Sequence, residues 1–179
     1  MKSLVGSIVF VSILAGCAAS ADTTVPASSA PIAEQGETGE MMAAALFELI
    51  TKDNTFGLGP PPFTSYRLLT HLDPFAGDPM GGADEPTRSL TAAERAAIEE
   101  VVRRFGPVQW IDDPTGFRTG GQPGPAILGV GEPVIEGDTG LVPVSLWCGD
   151  LCGTWLTYRV DFLAGAWAAT GKEGPVAIS

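Results

Sequence analysis

His71 is the only histidine in this 179-residue chain, and that scarcity closes several routes at once. Zinc sites gather Cys, His and carboxylate ligands around one point. Of the three cysteines, Cys17, Cys148 and Cys152, only the last two lie close together, and no second pair stands near His71. No metal and no other cofactor is therefore expected. Positive charge is also sparse: ten Lys and Arg against twenty-one Asp and Glu give a formal net charge of -11. The arginines are dispersed, with only Arg103 and Arg104 adjacent, so the chain carries no basic patch. Such a surface repels nucleic acid and anionic headgroups. Missing too are the Gly-x-Ser-x-Gly elbow of many hydrolases and the phosphate-binding glycine loops. Ile127-Leu128-Gly129-Val130-Gly131 has two glycines at the right interval and no third, so it reads as strand and turn. Long apolar runs are absent as well. Leu4 to Leu14 is too short to span a bilayer as a helix, and the next candidate, Met41 to Phe47, stops at Glu48.

The first apolar run follows one basic residue, Lys2, and has the length of a signal-peptide core. It ends in Leu14-Ala15-Gly16-Cys17, which resembles the lipobox of bacterial lipoproteins. That resemblance implies cleavage before Cys17, a diacylglyceryl group on its sulfur, and further acylation by a fatty acid such as palmitate. Each buried methylene contributes about 0.8 kcal/mol, so two or three acyl chains hold a protein on a membrane without a spanning helix. The expected division is a removed signal peptide over 1–16, a lipidated cysteine with a disordered tether over 17–39, and one extracytoplasmic domain over 40–179. The tether reading rests on Ala, Ser, Thr and Pro in place of large apolar side chains.

The domain reads as α+β, with two helices packed on an antiparallel meander. Met42, Leu46 and Leu49, with Ala43, Phe47 and Ile50 beside them, predict a helix from about Gly39 to Lys52. A strand is predicted over Thr64 to Leu72, then a loop dense in Gly, Pro and Asp. Thr91 and Glu94 have the spacing of a capping box and open a second helix, which Gly106-Pro107 stops. Whether that helix is a crossover between parallel strands at 64–72 and 108–112 is open at this point. From Val108 the pattern is short strands: 108–111, 126–130, 133–136, 141–147, 154–162, 166–170 and 175–179. Turns are expected at 137–140, 164–165 and 171–174. Pro143 marks an edge or a bulge in its strand. The closing segment from Cys152 to Ser179 resembles the ends of small secreted bacterial proteins of unknown function, which implies no activity.

Candidate chemistry is thin. A triad would have to use His71, with Asp73 or Asp78 as its orienting carboxylate. Asp73, Asp78, Asp84 and Glu85 share one loop and suit a hard cation in type, although their spacing does not match an EF-hand. Asp112 and Asp113 are adjacent, so in a strand they point to opposite faces. Alternation puts Trp155 on the face opposite Leu156 and Tyr158. Exposed there, it would bind a sugar or a partner; covered by a helix, it would be core. For Cys148 and Cys152 the choices are a redox pair and a structural clip. With Cys17 taken by lipid, an even pair remains in an oxidising compartment. A three-residue loop over 149–151 would set Cys148 opposite Cys152, Leu146 opposite Thr154, Val144 opposite Leu156 and Val142 opposite Tyr158. Opposed residues lie about 4.5–5.5 Å apart at Cα, within disulfide range, so a structural disulfide between Cys148 and Cys152 is expected. The expected function is a lipid-anchored extracytoplasmic binding or envelope-interaction module. Its partners would be the membrane, through Cys17, and an unidentified envelope protein or ligand. The alternative is an extracytoplasmic enzyme, either a hydrolase using His71 or a thiol oxidoreductase using Cys148 and Cys152.

Overall fold

The computed structural model describes residues 32–57, 62–81, 87–114, 124–149 and 151–179, with backbone only for 32–36. The signal peptide, Cys17 and residues 18–31 of the tether lie outside the described residues. In chain order the elements are α1 (Ile32–Lys52), β1 (Tyr66–Leu69), α2 (Ala92–Val102), β2 (Val108–Ile111), β3 (Ala126–Val130), β4 (Val134–Glu136), β5 (Thr139–Gly149), β6 (Cys152–Leu163) and β7 (Ala166–Ile178). The strands form one sheet in the order β2-β1-β3-β5-β6-β7, with β4 paired to β5. The class is α+β.

The sheet is mixed, which corrects the purely antiparallel expectation. β1 runs parallel to both β2 and β3, and α2 is the crossover that carries the chain from β1 to β2. Parallel neighbours cannot be joined by a tight turn, so a helix between two short strands is what the geometry requires. From β3 onward the pairing is antiparallel, and β5, β6 and β7 form the expected meander. Within it Leu146 faces Thr154, Val144 faces Leu156 and Val142 faces Tyr158, as the hairpin register requires.

α1 begins at Ile32, not near Gly39, so the helix takes in residues read as tether. Gly39 acts here by its size. A Cβ at that position would lie 2.8 Å from Glu94 Cα, so the glycine lets α1 cross closely over the first turn of α2. The end of α1 is fixed by its own side chains. Asn54 Nδ2 donates to Ile50 O at 2.7 Å and so satisfies a last-turn carbonyl. Asp53 accepts from the Tyr158 hydroxyl and pairs with Lys172 at 2.6 Å, which ties the helix end to β6 and β7. Burial, with the Asp53 carboxylate beside it, pushes the Tyr158 hydroxyl pKa far up.

α2 starts with the predicted capping box: Glu94 N donates to Thr91 Oγ1 at 3.2 Å, and Thr91 N donates to Glu94 Oε2 at 2.7 Å. Met42, Leu46 and Leu49 of α1 and Ile98 and Val102 of α2 pack with Leu68, Leu128, Val144, Leu146, Leu156, Tyr158 and Val160 of the sheet. Full burial of each such aliphatic chain is worth about 1.5–3 kcal/mol. Phe47, expected in this core, is instead 42 % exposed, its ring 5.8 Å from that of Phe105.

β7 is one continuous strand where a turn was expected over 171–174. Its register against β6 shifts between Arg159 and Val160 and again between Trp155 and Thr157. Extra residues on β7 are absorbed as bulges, with Gly174 at φ 73. Pro143 also finds a use. Its carbonyl accepts from Gly131 N at 2.9 Å, so its missing N–H faces the gap where the neighbour changes from β3 to β4.

Candidate functional site

Both helices pack on one face of the sheet, so the side chains of opposite parity form a second face, over which no helix lies among the described residues. Leu69, Ile127, Gly129, Ser145, Trp147 and Trp155 belong to this face. The register sets Ile127 opposite Trp147, Gly129 opposite Ser145 and Ser145 opposite Trp155. The segment after β1 crosses it as a band. Asp73 N donates to Val130 O at 2.7 Å, and Gly77 N donates to Val144 O at 3.1 Å. Gly77, at φ 83, lies so close to Pro143 and Thr157 that a Cβ would come within 3.0 Å of both. Between this band and the two tryptophans is a cleft of about 310 Å³, lined by Leu69, Ile127, Ser145, Trp147 and Trp155 and by Asp73, Phe75, Pro79 and Pro114.

Its polar centre is the pair Asp73–Ser145. The Ser145 hydroxyl donates to Asp73 Oδ2, while Asp73 Oδ1 accepts from Phe75 N at 3.0 Å. Gly129 makes room for the pair, since a Cβ there would fall on Asp73 Oδ2 and 2.6 Å from Ser145 Oγ. A second glycine seats the aromatic wall. A Cβ at Gly153 would lie 2.5 Å from Trp155 Cζ3, so the indole lies down against the β6 backbone. Trp155 is half-buried on the face away from the helices, neither core under a helix nor fully exposed.

The other sequence candidates do not converge on this cleft. His71 is half-buried and forms an isolated backbone bridge with Ser89. Asp73, its proposed orienter, has its carboxylate engaged by Ser145 and Phe75, and Asp78 accepts from Met80 N at 2.9 Å. The calcium candidates Asp84 and Glu85 lie outside the described residues. Among the described residues, no group of three or more His, Cys, Asp and Glu side chains forms a cation site. Asp112 takes the Thr70 hydroxyl.

Cys148 and Cys152 form a disulfide with their Cα atoms 5.1 Å apart. They are not directly opposed as expected. The register slips after Trp147–Gly153 so that Gly149 faces Cys152, which leaves Cys148 as the bulged residue. Gly149, at φ 149, is the residue type such a bulge accepts. Cys148 is 7 % exposed. Thr55 Oγ1 lies 3.5 Å from Cys152 Sγ, which joins the staple to the segment after α1.

A larger groove of about 700 Å³ runs over the outer side of α1, between α2 and the β6–β7 turn. Its floor is Ala43, Ala44 and Ala97, and two of its rim charges are already paired, Glu48 with Lys52 and Glu100 with Arg104. It lacks the convergent polar centre of the smaller cleft. Among the described residues no helix is long and apolar enough to cross a membrane. Comparison of the chain with protein families, with curated proteins and with solved structures finds no match.

Proposed function

We propose that the protein is a lipid-anchored extracytoplasmic binding module, held at the membrane by Cys17 and receiving its ligand in the cleft of the second sheet face. The observation that supports binding is that cleft. Aromatic and apolar walls surround one polar pair, the composition usual for a small-ligand site, and its volume falls near the lower end of about 300–1,000 Å³ for such sites. The support for the anchor is the lipobox-like Leu14-Ala15-Gly16-Cys17. Two experiments test the two halves. Labelled palmitate should enter the wild type and not Cys17→Ala; equal labelling of both refutes the anchor. Crosslinking in intact cells should capture a ligand or partner that Trp155→Leu loses. Identical capture by wild type and Trp155→Leu refutes the cleft.

A further inference from the structure

We infer that the cleft takes a small organic cation, an alkyl- or quaternary ammonium group, an assignment that rests on the binding role proposed for it. Three features of the site point the same way. First, its walls include three aromatic residues, Phe75, Trp147 and Trp155, and the negative faces of such rings attract a cation within about 6 Å of the ring centre. Gly153 leaves room for the six-membered ring of Trp155 to pack over the β6 backbone.

Second, the polar centre carries a carboxylate with no basic partner among the described residues. Both Asp73 oxygens take neutral donors, the Ser145 hydroxyl and the Phe75 N–H, and no Lys or Arg among the described residues pairs with Asp73. Because the Ser145 proton points at Asp73, the pair presents acceptors to a ligand. A sugar brings acceptors as well as donors, and those acceptors would find no donor in the pair; an ammonium brings none. Third, the chain as a whole has a net charge of -11, a field that draws cations and repels anions. Trp110 shows the same chemistry within the fold, with the Arg95 guanidinium 4.5 Å from its ring centre.

The test is a titration of the purified full chain, by calorimetry and tryptophan fluorescence, with choline and with its uncharged isostere 3,3-dimethylbutan-1-ol. Saturable choline binding is expected, with the alcohol weaker by about tenfold or more. Asp73→Asn and Trp155→Leu should each weaken choline by about tenfold or more. Ser145→Ala keeps the charge and should weaken it less, and Phe47→Ala, on the helix side of the sheet, should leave it unchanged. Circular dichroism and thermal melts show whether each variant is folded. Equal affinity for the alcohol, or unchanged choline binding by a folded Asp73→Asn, overturns the cation assignment. Saturable binding of an uncharged oligosaccharide that Trp155→Leu abolishes, with no choline binding, also overturns it and leaves the binding role standing. No saturable binding of choline, alcohol or oligosaccharide overturns both.

Discussion

Replacing Glu94 with alanine should be among the most damaging single changes outside the apolar core. Glu94 is 1 % exposed, and its carboxylate accepts three hydrogen bonds, from Arg88 Nη1 at 3.0 Å, Arg88 Nη2 at 2.9 Å and Thr91 N at 2.7 Å. Breaking a buried pair by removing one partner costs about 3–5 kcal/mol. Here the Arg88 guanidinium is 39 % exposed and keeps Glu132 at 2.9 Å, so the cost falls below that range, to about 2 kcal/mol. Loss of the reciprocal cap adds about 1 kcal/mol. The total, about 3 kcal/mol, shifts a urea midpoint by roughly 1.5 M if m is about 2 kcal/mol/M. Glu132→Ala removes an exposed partner and should cost less than about 1 kcal/mol. Acid supplies an independent check. Burial by itself would raise the Glu94 carboxyl, but the bonds from Arg88 and Thr91 together hold it below its ordinary value of 4.5. A lowered folded value means that the carboxylate's contribution is complete above about pH 4.5 and is lost as pH falls through the folded pKa. The gap between wild type and Glu94→Ala should therefore narrow below that point. A Glu94→Ala midpoint within about 0.3 M of wild type, or a Glu132→Ala loss as large as that of Glu94→Ala, would refute the reasoning.

The double change Cys148→Ser, Cys152→Ser should lower stability by about 2 kcal/mol, the chain-entropy value for so short a loop, and mild reduction should lower the melting temperature of the wild type alone. Two free thiols found by mass in the oxidised protein would contradict the staple. Gly129→Ala should cost about 1–3 kcal/mol, because its methyl displaces the Asp73–Ser145 pair. An unchanged melting temperature would show that the pair is not held against β3 as described.

What could be read from the sequence was local. The Thr91–Glu94 box, the strands at 108–111 and 126–130, and the β5–β6 register all follow from spacing within a few residues or from one short hairpin. Parallel pairing of β1 was not legible, because a four-residue strand with three buried residues reads alike beside a parallel or an antiparallel neighbour. Gly171, Gly174 and Pro175 carry the signals of a turn, and only the long partner β6 turns them into bulges. Gly39 looked like a boundary because the demand on it comes from Glu94, far along the chain. The parity of Trp155 was legible, but the Asp73–Ser145 pair was not, since 72 residues separate its members. One signal did point there. Gly129, inside an otherwise apolar strand, marks a place where something approaches the backbone closely.

The order of the elements sets the timing of folding. α1 packs on α2 and on β5, β6 and β7, so the part of its packing surface that the sheet supplies exists only when the last strands do. At about 5–20 residues per second, roughly 6–25 s of synthesis separate the end of α1 from the end of β7. Throughout that interval Met41, Met42, Leu46 and Leu49 have no sheet to cover them. The sheet side of the core therefore closes last.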